Sequence, residues 1–407
     1  MREEFSPLLT WIDAQLPELR EALLCLANQN SGSFNLPGVR AVGEQMLARF
    51  TPLGCSHQWI ALPPLLTTDN AGVLRETPVA PALRLRQRPD APLQIFLGGH
   101  LDTVYPADHP FQTVRADGDD QLHGPGVADL KGGLLVMWTA LAALERSPWR
   151  ERIGWEVLLN PDEEIGSQSS DPLLKEAAGR AHLGLVYEPA LPDGSLAGAR
   201  KGSGNFDVIV HGVSAHAGRN PEAGRNALRA AADVIAAVDR LNGQRDGVTF
   251  NAGYVHGGGP LNVVPDLCIF KFNVRTAKTD DACWVHDQLD LILTRAQRDG
   301  IRCELRGGFT RPPKIVDARQ QRLMDHVADC GRALGTPLAF KPTGGCCDGN
   351  NLAAYGLPNV DNLGVVGRDI HSDAERMRVS SLTERAKVSA LLLLRLASGE
   401  IDWSNAP

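Results

Sequence analysis

Apolar residues recur along this chain in two patterns, short continuous runs and helical spacing, and the two patterns alternate. Continuous runs are typical of strands that are buried on both faces. They lie at residues 93–97, 155–160, 183–187 and 359–367. Helical spacing fills the segments between them, as in residues 130–144. Alternating strands and helices predict an α/β domain with a mainly parallel sheet.

The N-terminal part of the chain precedes the first of these runs. Residues 6–50 carry helical spacing that is interrupted at Pro37, which predicts two helices. Residues 51–92 are rich in proline and threonine and contain short strand-like pieces. We expect this segment to form an edge region that leads into the strand at 93–97.

The segment from 197 to 308 has a different texture, because apolar and polar residues alternate in it as in strands with one solvated face. We expect strands at 205–212, 248–255, 266–275 and 302–306, and helices at 221–241 and 280–299. An antiparallel sheet with two helices is typical of an inserted α+β domain of the ferredoxin-like kind. The predicted organisation is a larger α/β domain formed by residues 1–196 and 309–407, with residues 197–308 as the inserted domain.

Composition and charge narrow the class of protein. The 407 residues are 43% hydrophobic and 22% charged, which is ordinary for a globular protein. A formal net charge of −7 without a basic block argues against nucleic acid as a partner. No apolar run approaches the roughly 18 to 20 residues of a membrane span, and the N-terminus lacks signal-peptide features. Eight scattered cysteines without a Cys-x-x-Cys pair are typical of reduced thiols. We therefore expect a cytoplasmic protein with no membrane partner.

Candidate metal ligands stand just past the ends of the predicted strands, where open α/β sheets bind their ligands. His100 follows the first run, and Asp102 points the same way on an extended backbone. A carboxylate in that position can fix the tautomer of a metal-bound histidine. Glu163 and Glu164 follow the second run, and Glu188 follows the third. Taken alone, each is equally well explained as a surface residue.

Two further residues complete the candidate set. Asp129 follows a glycine-rich turn at the start of a predicted helix, where it is either an N-cap or a carboxylate aimed at a cation. His371 follows the last apolar run. Imidazole and carboxylate ligands suit zinc, and one catalytic zinc needs about three of them. Five ligands and a spare glutamate point to two ions that share a carboxylate, with the spare glutamate as general base.

Seven short motifs occur in order over nearly the whole chain. They are HLDTV (100–104), GPGVAD (124–129), DEEIGS (162–167), YEP (187–189), SAHAG (214–218), NVVP (262–265) and DIHS (369–372). In these motifs the chain resembles the zinc aminoacylase and glutamate carboxypeptidase family of metallopeptidases, and within it the carboxypeptidase G-like enzymes. The resemblance implies a di-zinc peptidase domain with an inserted lid and dimerisation domain.

The resemblance also implies a ligand set for two zinc ions. His100 would bind one ion and His371 the other, with Asp129 bridging them. Glu164 and Glu188 would complete the two coordination shells. Cobalt or manganese are alternatives to zinc, since ligand type selects weakly among these ions.

Catalytic and substrate-binding roles follow from the same resemblance. Asp102 would orient its metal-bound histidine, and Glu163 would be the general base. His216 would reach the active site of the partner subunit in a homodimer and stabilise the oxyanion. Asn262 and Arg275 would hold the substrate, Arg275 by a charge-assisted grip on a carboxylate.

The predicted function is hydrolysis of the amide or peptide bond of N-acyl or peptidyl amino acids that carry a free carboxylate, as in glutamate carboxypeptidases. The alternative is a deacylase of the acetylornithine or succinyl-diaminopimelate type, which shares these metal ligands. A catalytically inactive binding protein on the same fold is a third possibility, which the intact ligand set argues against.

Three places remain open at this point. Many family members have a second aspartate, in a cis peptide, where this chain has Leu130, which leaves the geometry of that bond undecided. Cys346 and Cys347 fall in a loop near the site and are interpreted as two packed thiols rather than as a third metal position. Arg200 and Lys201, at the entrance to the lid, are candidates for contacting an acidic group of the substrate.

Overall fold

The computed structural model describes residues 2–403, and these residues form ten α-helices and eighteen strands. The helices are α1 (Ser6–Ala14), α2 (Leu16–Asn28), α3 (Leu36–Phe50), α4 (Gly133–Glu145), α5 (Asp171–Ala178), α6 (Ala227–Asp239), α7 (Asp281–Ala296), α8 (Ala318–Ala333), α9 (Asp348–Ala354) and α10 (Ser381–Ser398). The strands are β1 (Ser56–Ile60), β2 (Leu65–Thr68), β3 (Leu74–Thr77), β4 (Ala82–Gln87), β5 (Leu93–His100), β6 (Arg115–Ala116), β7 (Gln121–His123), β8 (Ile153–Asn160), β9 (Leu183–Val186), β10 (Leu196–Arg200), β11 (Gly202–His211), β12 (Thr249–Gly257), β13 (Leu267–Thr276), β14 (Arg302–Arg311), β15 (Phe340–Thr343), β16 (Asn359–Val360), β17 (Gly367–Arg368) and β18 (Arg376–Arg378).

A six-stranded sheet in the order β1-β4-β8-β5-β9-β16 forms the centre of the larger part of the molecule. Strands β8, β5, β9 and β16 are parallel, whereas β1 and β4 form an antiparallel edge. Alternate residues of β5 face two separate cores: Ile95 and Leu97 pack with α4 and α10, and Phe96 packs with α5 and α9. Burial on both faces explains the continuous apolar runs, and the predicted α/β fold with a mainly parallel sheet is confirmed.

The stretch Val127–Glu145, which includes α4, is long and apolar enough by composition to cross a membrane, contrary to the expectation from the sequence. In the folded chain 94% of this window is buried inside the protein, where α4 packs against α10 and β5. Its apolar residues therefore serve the core of the domain, as expected for a helix that is hydrophobic on all sides.

Two of the predicted elements were wrong in detail. The N-terminal segment contains three helices rather than two, because α1 ends at Ala14 and α2 begins at Leu16, with Pro17 in its first turn. Proline has no amide hydrogen, so it starts a helix more readily than it continues one. In the predicted strand at 359–367, only Asn359 and Val360 join the six-stranded sheet, because Asn362 then takes a left-handed conformation with φ of 62°.

A second sheet, four-stranded and antiparallel in the order β12-β13-β11-β14, is covered by α6 and α7. Its hydrophobic cluster is separate from those of the six-stranded sheet. The chain enters and leaves this unit side by side, where Arg200 and Lys314 form an antiparallel bridge. The division at residues 197–308 stays a proposal, and the separate core supports it.

The β2–β3 hairpin, from the predicted edge region, reaches the four-stranded sheet. Lys271 on β13 donates to the carbonyl of Thr68 at 2.7 Å, and Arg306 on β14 donates to the carbonyl of Gly72 at 2.9 Å. This hairpin therefore connects the two sheets at a second place, besides the segments at which the chain enters and leaves the four-stranded unit.

Candidate metal centre

His100 is the last residue of β5 and is buried at the carboxyl edge of the six-stranded sheet. Its Nδ1 donates to the backbone carbonyl of Asp102 at 3.0 Å and lies 3.4 Å from a carboxylate oxygen of the same residue. Its Nε2 faces Asp129 Oδ1 at 3.2 Å and Glu188 Oε2 at 3.9 Å. Because Nδ1 is occupied as a donor, Nε2 is left free to bind a cation.

Asp129 lies between the two candidate histidines. Its Oδ1 is 3.2 Å from Nε2 of His100, and its Oδ2 is 3.2 Å from Nε2 of His371. The peptide bond between Asp129 and Leu130 is cis, which answers the question that the sequence left open. One carboxylate with one oxygen toward each histidine is the arrangement that a pair of ions with a shared ligand requires.

The turn that carries Asp129 is held by a residue that the sequence did not single out. The buried carboxylate of Glu375 accepts hydrogen bonds from the backbone amides of Gly126, Ala128 and Asp129 at 2.9–3.0 Å. Gly126 has a φ of 69°, a conformation that side chains with a Cβ disfavour. The turn is therefore fixed from behind, and the side chain of Asp129 is left to face the site.

His371 follows β17 in a small four-stranded sheet, and its side chain is 54% exposed, unlike that of the buried His100. Its Nε2 lies 3.2 Å from Glu164 Oε2. The other oxygen of Glu164, Oε1, is buried and has no hydrogen-bond partner among residues 2–403. A buried carboxylate oxygen without a donor is costly unless a cation binds it. Two imidazoles and three carboxylates in this arrangement fit a pair of metal ions.

The pKa values of these groups follow from their packing. Burial opposes the charged form of His100, but hydrogen bonds to the surrounding carboxylates outweigh it and raise its pKa. Burial raises the pKa of Glu188, and it raises that of Glu164 to about 7 with a contribution from the charge of Asp129. Hydrogen bonds to Asp129 and Glu164 raise the pKa of His371 to about 11. Such strong shifts are typical of a functional site where acidic groups face a common centre.

Asp102 also contacts the two adjacent glutamates. Its carboxylate accepts the backbone amide of Glu163 at 3.2 Å and that of Glu164 at 3.2 Å, besides the hydroxyl of Ser33 at 2.7 Å. The same aspartate thus lies against His100 and fixes the loop after β8. The sequence predicted only the first of these contacts.

A cavity of about 360 Å³ opens beside the candidate ligands. It is lined by Asp129, Glu163, Glu188 and His371 together with the loop that carries Cys346. Glu163 is largely buried, and burial raises the pKa of its carboxyl group. A carboxyl group with a raised pKa, facing a cavity of this size, can accept and hold a proton.

Arg275 reaches the same loop from β13, and its Nη1 lies 3.0 Å from Sγ of Cys346. Cys347 is buried as predicted and Cys346 is half-buried, and both residues line the cavity. Arg200 lines the cavity too, but its guanidinium is already bound to both carboxylate oxygens of Asp361 at 2.9 Å. Arg275 is therefore the better candidate for binding an anionic group.

His216 and Asn262 lie together on the four-stranded unit, away from this cluster. His216 bridges to Val263, and the amide of Ala217 donates to the carbonyl of Asn262 at 2.9 Å. Both side chains are exposed. Among residues 2–403, no hydrogen bond or ion pair connects either side chain to the candidate metal ligands.

The geometry can be compared with known proteins. The model of peptidase family M20/M25/M40 matches residues 96–395. The chain belongs to this family. It is 29% identical over 394 residues to carboxypeptidase G2 of Pseudomonas sp. (strain RS-16), covering 94% of this chain and 90% of that protein. It is also 29% identical over 323 residues to a succinyl-diaminopimelate desuccinylase of Alkalilimnicola ehrlichii, covering 73% of this chain and 82% of the relative.

Solved structures agree on the fold. A dinuclear metal binding peptidase of the M20 family from Bacillus subtilis superimposes with a TM-score of 0.65 at 14% identity, covering 95% of this chain and 99% of that one. As a member of the M20/M25/M40 peptidase family, the chain is a metal-dependent hydrolase with the mixed α/β fold of that family. The predicted resemblance to this family is confirmed.

Two residues near the candidate metal centre were not predicted from the sequence. Glu375, which holds the turn of Asp129, follows His371 by four positions and could have been found as an acid beside a motif. Arg311, which contacts Glu163, stands among ordinary basic residues of a strand and carries no local signal.

Proposed function

We propose that the M20 chain binds two zinc ions, one held by His100 and Glu188 and the other by His371 and Glu164. Asp129 is the shared ligand, and its position with one oxygen 3.2 Å from each histidine is the observation that carries the proposal. When bound, such ions polarise a carbonyl group and lower the pKa of a water molecule. Cobalt and manganese suit the same ligands.

Glu163 is proposed as the general base. It lines the cavity, and its carboxyl group takes a proton from the attacking water and delivers it to the leaving amine. The raised pKa that burial gives this carboxyl group suits both halves of that transfer. Asp102 positions the base as well as His100, since it accepts the backbone amide of Glu163.

The substrate that we infer is an N-acyl or peptidyl amino acid with a free carboxylate, cleaved at the adjacent amide bond. Arg275 beside the cavity supports this class, because a guanidinium grips a carboxylate with charge-assisted hydrogen bonds. Likeness to carboxypeptidase G2 over 94% of the chain favours carboxypeptidase action. The likeness to succinyl-diaminopimelate desuccinylases keeps deacylation as the second candidate.

We also infer a homodimer in which the segment with His216 and Asn262 completes the site of a second copy. Their exposure, and the lack of contacts to the ligand cluster of their own chain, support this inference. Edge strand β12 exposes Tyr254 and Val255, and Leu261 beside it is fully exposed. In that dimer His216 stabilises the oxyanion and Asn262 binds substrate. Eight free cysteines support a cytoplasmic location.

A substrate panel assayed with zinc added and with zinc chelated tests the proposal. We expect hydrolysis of N-acyl glutamates and glutamate-terminated dipeptides, lost on chelation and restored by zinc. Faster hydrolysis of acetylated or succinylated diamino acids would select the deacylase instead. Protein that binds no zinc and hydrolyses none of these substrates would contradict both.

A further inference from the structure

Arg311 occupies an unusual place between the two sheets. It is the last residue of β14, where the chain leaves the four-stranded unit, and its side chain is only 4% exposed. It does not line the cavity beside the metal ligands. A fully charged guanidinium at such depth needs partners that hold it in place.

The partners of Arg311 surround the proposed base. Its Nη2 lies 2.8 Å from Glu163 Oε1, 3.0 Å from the backbone carbonyl of Glu163 and 3.0 Å from the hydroxyl of Ser167. Its Nη1 donates to Asp348 at 3.0 Å, and Asn160 donates to the same carboxylate at 2.8 Å. The guanidinium is thus fixed from behind by a network that contains no metal ligand.

Glu163 and Glu164 are adjacent, yet only one of them has this partner. Glu164 has a buried oxygen with no hydrogen-bond donor and lies against His371. Glu163 has one oxygen tied to Arg311, although a carboxylate oxygen of Glu163 lies within 4.8 Å of ligand atoms of His100 and Glu188. An untethered carboxylate at that distance is close enough to turn and become an additional metal ligand.

We propose that Arg311 is a positioning residue that holds Glu163 as the proton carrier and keeps its carboxylate off the metal ions. This inference rests on the proposed function, because it needs both a metal pair and a general base. Glu163 and Glu164 are neighbours but have different roles, because Arg311 contacts only Glu163. A purely structural ion pair at the junction of the two sheets is the competing explanation.

The test uses full-length dimeric protein with the variants Arg311→Met and Arg311→Lys. Arg302→Met is the matched control, since Arg302 lies on the same strand and is also ion-paired, but with Glu304, and does not line the cavity. We expect Arg311→Met to lower kcat about 100-fold, the order of loss for a misplaced catalytic group, with KM and zinc content unchanged. Arg311→Lys restores part of this loss, and the control retains full activity.

Cobalt supplies a readout that does not depend on turnover. In Co²⁺-loaded Arg311→Met, Glu163 becomes free to coordinate, so the visible absorption weakens as the coordination number rises. Adding Glu163→Gln to Arg311→Met returns the spectrum to that of the parent. The residual rates of Glu163→Gln and of the double variant are compared with enzyme in excess over substrate. We expect the two rates to be equal, because Arg311→Met then has no base left to misplace.

Several outcomes would overturn the inference. These are a raised KM at unchanged kcat, a cobalt spectrum that does not respond to Arg311→Met, or an equal loss of rate with and without Glu163. If Arg311→Met folds poorly, Arg311→Lys decides, and normal kcat in a folded, zinc-loaded lysine variant contradicts the proposal. Failure of the proposed function looks different, because the parent enzyme would then be inactive or indifferent to Glu163→Gln.

Discussion

The ligand cluster at the edge of the six-stranded sheet and the segment with His216 and Asn262 are organised in opposite ways. Four of the five side chains in the cluster are buried, and His371 is 54% exposed. The five residues come from five separate parts of one chain, and the facing atoms of neighbouring ligands lie 3.2–3.9 Å apart. The segment on the four-stranded unit is exposed, and its contacts are local. All proposed metal ligands of the cluster belong to one chain. His216 and Asn262, in contrast, do not contact the cluster of their own chain, so their proposed roles require a second copy.

This difference separates metal binding from catalysis. One subunit contains every proposed ligand, so it should bind its ions without a partner. Turnover, in contrast, should need the second copy, because the proposed oxyanion group does not reach the cluster of its own chain. Substitutions in the cluster should therefore reduce metal binding, whereas substitutions in the exposed segment should reduce turnover with the metal still bound.

The largest effect is expected from Asp129→Ala. Loss of the shared carboxylate removes a ligand from both ions and leaves the two histidines without their common partner. We expect activity to vanish and zinc content, measured by atomic absorption after dialysis, to fall from two per subunit. Retention of two tightly bound ions would contradict the role of Asp129 as the shared ligand.

Glu163→Gln should lower turnover strongly by a different route. The amide cannot accept the proton, so kcat should fall by about 10²–10⁴-fold, the usual contribution of a general base. Zinc content should stay at two per subunit, since Glu163 is not a proposed ligand. A loss of metal in this variant would show that the division between base and ligand is wrong.

His216→Ala tests the exposed region. Removing one oxyanion group typically costs about 10²–10³ in kcat. We expect that loss with normal zinc content and normal dimer mass by light scattering, because the side chain is exposed and its removal leaves no cavity. Val213→Ala, at another exposed position two residues past β11, is the control and should keep its activity.

The smallest effect concerns pH. Hydrogen bonds to Asp129 and Glu164 raise the pKa of His371 to about 11, so chelated protein carries an imidazolium there at neutral pH. The charged imidazole stabilises the folded state. This contribution to folding stability is complete below the unfolded pKa of about 6.5 and is lost as pH rises through 11. Zinc must displace the proton, so its apparent affinity should rise with pH. Calorimetric titrations in two buffers at pH 7.5 should reveal about one proton released per subunit from this group; no release would contradict it.

The sequence predicted the ligands better than the groups that support them. His100, Glu164 and Glu188 follow continuous apolar runs, and those runs are visible because both faces of the sheet are buried. Arg311 contacts Glu163 across 148 positions, and no local pattern encodes that contact. Glu375 is likewise 246 positions from the amide of Asp129 that it holds.

The predicted boundaries of two elements were wrong for local reasons. The break between α1 and α2 depends on Pro17, which interrupts an otherwise continuous helical spacing. The predicted strand at 359–367 stops where Asn362 turns into a left-handed conformation, although its apolar residues continue the pattern. Hydrophobic periodicity locates an element but does not fix its ends.

Mixed dimers test the central claim most directly. Asp129→Ala subunits carry an intact His216 but no working metal pair, and His216→Ala subunits carry the reverse. If the loop of one subunit completes the site of the other, mixing the two inactive proteins under exchange conditions creates one intact site per mixed dimer. We predict that activity returns to about half the parent value per mixed dimer, since one of its two sites is intact. Mixtures that stay as inactive as their components, despite proven subunit exchange, would contradict the account.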